Sequence, residues 1–168
     1  MILSSMKDYS ILVVMSDEMY NAMKIAYTMF GTYIKDTADK IGWDKAIEIR
    51  RLAGERNGKQ QVKFYQTHDP ETRLAEYGKN TVDYQNPIGW DIEYEATESE
   101  LVFNIKVCPL FDGFLEAGIP VERINELCKV THFAMDEELK KVFPDAEFTS
   151  VPKPSKEDYC IERVYLPP

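Results

Sequence analysis

At Trp90 the apolar pattern of the chain changes period, from three or four residues to two, and that switch restricts the fold more than any other feature. Trp90, Ile92, Tyr94 and Ala96 alternate with Asp91, Glu93 and Glu95. After the polar turn Thr97-Glu98-Ser99-Glu100, Leu101, Phe103, Ile105 and Val107 alternate with Val102, Asn104, Lys106 and Cys108. A period of two sends successive side chains to opposite faces, so the segment predicts a β-hairpin with one face on a helical layer. Pro109 cannot donate to a ladder and ends the second strand at Cys108.

Upstream the pattern is helical. Met19, Met23, Ala26, Phe30, Ile34, Ala38 and Ile41 predict a helix capped at Ser16 or Asp17 and stopped at Gly42. A second helix is expected from Trp43-Asp44 through Ala46, Ile49 and Leu52 to Gly54 or Gly58. Arg50 and Arg51 fall near its C-terminal end, where the helix dipole favours cations. Asp69-Pro70-Glu71 is expected to open a short helix through Leu74 and Tyr77, with Gly78 and Asn80 as stops. His68, just before it, reads as a solvated loop histidine.

Downstream, Leu110 to Ala117 predict a short helix closing at Gly118, and Pro120 opens a longer one. Its apolar stripe is Val121, Ile124, Leu127, Cys128, Thr131, Met135, Leu139 and Val142. Strands over Glu147 to Val151 and Tyr159 to Leu166 flank the turn Pro152-Lys153-Pro154-Ser155. The order predicts an α+β fold, an antiparallel β-sheet built from hairpins packed against N-terminal and C-terminal helices. One domain is expected over 1–168, with N-terminal helices over about 16–58 and the sheet and C-terminal helix over about 90–166.

A formal net charge of -9 opposes binding to nucleic acid or to anionic membranes, both of which need a basic face. No apolar run approaches the roughly eighteen residues a membrane-spanning helix needs. The start Met1-Ile2-Leu3-Ser4-Ser5-Met6-Lys7-Asp8 lacks the basic opening of a secretory signal, so a cytoplasmic location with reduced thiols is expected. Three cysteines is an odd count and argues against a closed disulfide framework. A small molecule is the expected partner, and the Met and aromatic content suggests a homo-oligomer.

On the long C-terminal helix, Cys128 and His132 lie four residues apart and project from one face, within about 6 Å of each other. Asp136 follows one turn later. A thiol, an imidazole and a carboxylate in that order suit a nucleophile, its base and the group that orients the base. The same face offers two metal ligands, which Cys108 and Cys160 would complete to a Cys3His zinc set. A third possibility is packing alone, since a cysteine on an apolar stripe behaves as a small hydrophobe. The chain has no CxxC, HExxH or glycine-rich phosphate loop to decide among them.

The segment Ile105-Lys106-Val107-Cys108-Pro109-Leu110 resembles the strand-then-CP element of the L-2-amino-thiazoline-4-carboxylic acid hydrolase-like family. So, in order, do Ile41 to Ile49, Glu126-Leu127-Cys128, Val142-Phe143-Pro144 and Asp158-Tyr159-Cys160. The resemblance spans Thr32 to Leu166 and implies a hydrolase that opens a small cyclic amidine, 2-aminothiazoline-4-carboxylate, to S-carbamoyl-cysteine. Cys108, Cys128, His132, Asp136 and Cys160 are then the candidate catalytic residues, with Arg123 or Lys129 holding the substrate carboxylate. Where the family carries an acidic residue soon after its second cysteine, this chain has His132, and Asp136 comes later. The alternative is a non-enzymatic domain that binds a small ligand or zinc through the same Cys and His residues.

Overall fold

The computed structural model describes the backbone of residues 5–62 and 73–167, and their side chains from Asp17 onward except that of Gln61. His68 and Asp69-Pro70-Glu71 lie outside the described residues. Among those described, five helices and a four-stranded antiparallel sheet make an α+β fold, the helices falling before the first hairpin and between the two hairpins. None of these helices is long and apolar enough to cross a membrane.

Helix α1 (Ser5–Ile41) begins well before Ser16, which is therefore not its cap. The apolar stretch preceding Ser16 carries no helix breaker, so the helix runs straight through it. It stops where expected, because Gly42 takes φ 90, a conformation open to glycine. Helix α2 (Trp43–Gln61) passes through both Gly54 and Gly58. Those glycines are contact points with α5 (Val121–Leu139). A Cβ at Gly54 would meet Thr131 O at 2.7 Å, and one at Gly58 would meet Met135 Cα at 3.0 Å.

This close approach also turns α2 away from its expected face. Ala46, Arg50, Gly54 and Gly58, spaced by four, form the buried ridge, while Ile49 and Leu52 are exposed. Small residues let two backbones come near enough for extensive dispersion contact, which here outweighs burying two aliphatic side chains. Gly78 corrects the third helix in the same way. Helix α3 (Arg73–Gln85) continues past Gly78 and Asn80, and Gly78 lies under the Tyr94 ring, which leaves no room for a Cβ.

Strands β1 (Asp91–Ala96) and β2 (Glu100–Val107) form the predicted hairpin. Its turn is tied by Thr97, whose Oγ1 accepts from the Glu100 N–H at 2.9 Å. Helix α4 (Pro109–Glu116) follows at once, then α5, then β3 (Glu147–Val151) and β4 (Cys160–Tyr165). The strand order β1-β2-β4-β3 joins the two hairpins through β2 and β4. Leu101, Phe103, Ile105, Ile92 and Val164 fill the inner face of the sheet. Ile124, Leu127, Thr131, Ala134 and Leu139 carry the buried stripe of α5.

Candidate functional site

Two apolar cores meet at Cys108. One lies on the sheet, around Leu74, Tyr77, Leu101, Phe103 and Phe143; the other lies among the helices, around Ile34, Phe111, Phe114, Ile124 and Leu127. Cys108 packs against both, because it is the residue where β2 gives way to α4. Its backbone is still extended, and its Sγ accepts the Phe111 N–H at 3.4 Å, capping a helix whose first residue is a proline.

Beside Cys108 opens a cavity of about 220 Å³ between the helices and the sheet. Cys108, Cys128, His132 and Cys160 all line it. Helix periodicity brings Cys128 and His132 to one wall. Strand pairing brings Cys160 to the other, opposite Ile105 in the ladder. The cavity lining is thus what these four residues have in common. Asp136 is not part of the lining.

The partner of His132 is a residue that the spacing on α5 does not reveal. His132 Nδ1 lies 3.1 Å from Glu162 Oε1 on β4, and both side chains are about a quarter exposed. Glu162 stands opposite Phe103 in the ladder, and opposed residues share a face, so its carboxylate points inward. The pairing favours a proton on Nδ1 and leaves Nε2 as the basic nitrogen. Asp136 takes no such position. Burial raises its carboxyl to about 7, against the pull of nearby His132 and with a further push from Glu162.

All three thiols are held protonated. Burial pushes Cys108 up to about 11, opposed by the Phe111 N–H, and pushes Cys128 up to about 12 with Cys108 adding to it. Cys160 is raised by burial and then by the Glu162 carboxylate. Thiolate is the reactive form, so alkylation of Cys108 and Cys128 should be slow at pH 7. The rate should climb about tenfold per pH unit up to at least pH 10, with no plateau near 9. Iodoacetamide labelling followed by mass spectrometry checks this, and a cysteine labelled at its limiting rate at pH 7 would contradict it.

The cations expected to hold a carboxylate lie elsewhere. Arg123 pairs with Glu126 at 2.6 Å and sits 5.4 Å from the Trp43 ring centroid, and Lys129 is exposed. Arg50 and Lys153 line the cavity instead. Lys153 is 2% exposed, donates to Lys106 O at 2.5 Å and lies 5.8 Å from the Phe111 ring centroid. Arg50 is 9% exposed, with its guanidinium 5.4 Å from the centre of the Phe30 ring. Its Nε is buried and meets no hydrogen-bond acceptor, and no carboxylate pairs with it among the described residues. Burial accordingly lowers its pKa, while Cys128 and Tyr27 act the other way.

The zinc alternative does not assemble. Among the described residues no three His, Cys, Asp or Glu side chains are placed to hold a metal ion. Cys108, Cys128, His132 and Cys160 line one cavity from two sides without forming such a group. Compared with protein-family models, with curated proteins and with solved structures, the chain matches none.

Proposed function

We propose that the cavity is the active site of a small-molecule hydrolase whose substrate carries a carboxylate and a C–N bond open to attack by water. The observation behind this is Arg50: a buried guanidinium with an unpartnered Nε in the same lining as the His132–Glu162 pair. An arginine taken from water without an anion costs free energy, and a carboxylate ligand with bidentate geometry would recover it. The cavity, at about 220 Å³, is below the roughly 300–1,000 Å³ that drug-sized ligands occupy, which suits a single small ring.

2-Aminothiazoline-4-carboxylate, the substrate implied by the family resemblance, fits these terms. Arg50 holds its carboxylate. His132, oriented by Glu162, takes a proton from water as the oxygen adds to C2 of the ring. The new hydroxyl gives up its proton and becomes the carbonyl as the bond from C2 to the ring nitrogen breaks; that nitrogen leaves with the bonding pair, receives the proton from His132, and the product is S-carbamoyl-cysteine. The protonated thiols of Cys108, Cys128 and Cys160 shape the pocket around the ring.

The test is turnover and equilibrium binding of 2-aminothiazoline-4-carboxylate by the wild-type chain and by Arg50→Met. A charged hydrogen-bonded contact is worth about 1.5–3 kcal/mol, so Arg50→Met should weaken binding roughly ten- to a hundredfold, with Arg50→Lys in between. Wild-type protein that neither binds nor consumes the compound would remove it as the substrate. Binding without turnover would leave a ligand-binding domain.

A further inference from the structure

The cavity at Arg50 is the inner of two chambers. A wider cleft of about 600 Å³ adjoins it, and Tyr27, Asn57, Gln85 and Trp90 line both. These four stand between the two, with the Tyr27 and Trp90 rings meeting edge to face at 5.7 Å. The outer cleft differs in chemistry from the inner one. Among the described residues, Asn57, Gln60, Asn80 and Gln85 give it four side-chain amides, and its one carboxylate, Asp83, is paired with Lys79.

A side-chain amide both donates and accepts, so such a lining matches either half of a peptide-like amide group. Among the described residues it offers a second anion no cation, and a hydrocarbon tail would leave its amides desolvated and unpaired. Distance adds a second constraint. Arg50 and Asn57 lie on one face of α2, seven residues and so about 10 Å apart. That is the reach of about three residues of extended peptide, more than one small ring provides.

We infer that this site also takes longer carboxylic acids, with the anionic end at Arg50 and a neutral, amide-bearing remainder passing Asn57 and Gln85 into the outer cleft. This deepens the proposed function and rests on its assignment of Arg50. The scissile C–N bond stays beside His132, and 2-aminothiazoline-4-carboxylate occupies the inner chamber alone.

Calorimetric titration of the full chain with N-acetylglycine and N-acetyl-triglycine tests the inference. N-acetyl-triglycine should bind about tenfold more tightly than N-acetylglycine, the worth of roughly one net hydrogen bond. The Asn57→Ala/Gln85→Ala double variant should erase that gain, bringing the two acylated probes to equal affinity. Asn57 is exposed and Gln85 half-buried, so this variant keeps the core intact. Equal affinities for the two acylated probes, or a gain that survives the double variant, would overturn the inference. Loss of N-acetylglycine binding in Arg50→Met separates the two claims: if it holds without any gain from length, the anion site stands and the outer extension falls. If N-acetylglycine fails to bind, or binds equally well to Arg50→Met, both fall.

Discussion

Gly54→Val is expected to destabilise the protein by about 3 kcal/mol, the upper part of the range for overpacking a close interface. The obstacle is backbone. A Cβ at this position would stand 2.7 Å from Thr131 O and 3.0 Å from Thr131 Cα, neither of which can rotate aside. Ala134 Cβ closes the third side at 3.1 Å. Valine prefers helix over glycine by only a few tenths of a kcal/mol, which cannot offset separating α2 from α5. For a chain of this size the midpoint should fall by roughly 6–12 °C. Thermal denaturation followed by circular dichroism checks it, and an unchanged midpoint would mean that the two helices do not touch here. Because Arg50 lies one turn before Gly54 on the same ridge, whatever Gly54→Val protein remains folded should also bind carboxylates more weakly.

The second large effect is on chemistry. His132→Asn should lower kcat for 2-aminothiazoline-4-carboxylate by 10²–10⁴, the usual contribution of a positioned general base. KM should change little, because Arg50 supplies the binding. Glu162→Gln should have a smaller effect, about tenfold to a hundredfold. A glutamine can still meet His132 Nδ1 at 3.1 Å, but it no longer stabilises the imidazolium that forms as water gives up its proton. Steady-state kinetics of both variants distinguish this arrangement from a thiol nucleophile. If Cys128→Ser abolishes turnover while His132→Asn retains it, the roles assigned here are reversed.

Much of this architecture is legible in the alternation and spacing of apolar residues. The hairpin of β1 and β2, the stop at Cys108-Pro109 and the long helix beginning after Pro120 follow from local rules. So does the shared face of Cys128 and His132. The misplaced features share one cause, which is contact between elements distant in sequence. Gly54, Gly58 and Gly78 resemble helix stops until α5 and the Tyr94 ring are set against them. Arg50 looks like a cation near the end of its helix until the Ala46–Gly54–Gly58 ridge is seen to be the buried one.

Glu162 did leave a sequence signal. In Cys160-Ile161-Glu162-Arg163-Val164, a period of two puts Glu162 on the same face as Cys160 and Val164. A strand that is apolar on that face therefore carries one carboxylate inward, and an inward carboxylate requires a partner. Local spacing on α5 instead suggested Asp136 as that partner. The burial of Lys153 gave no comparable signal, since its proline-rich surroundings look like an exposed turn.

The central pairing of β2 with β4 has a consequence for how the molecule comes into being. Each hairpin of this sheet closes over a short connection, but Ile105 meets Cys160 only after the whole stretch carrying α4, α5 and β3 has been brought round. Closing so long a loop is the entropically demanding step of assembly and belongs late in folding. Cys108 lies on one side of that closure, Cys160 and Glu162 on the other, and His132 in the loop between. The cavity therefore exists only in the fully assembled chain. A ligand that fills it selects the native state over every partly folded one, and its occupancy adds directly to the global stability of the protein.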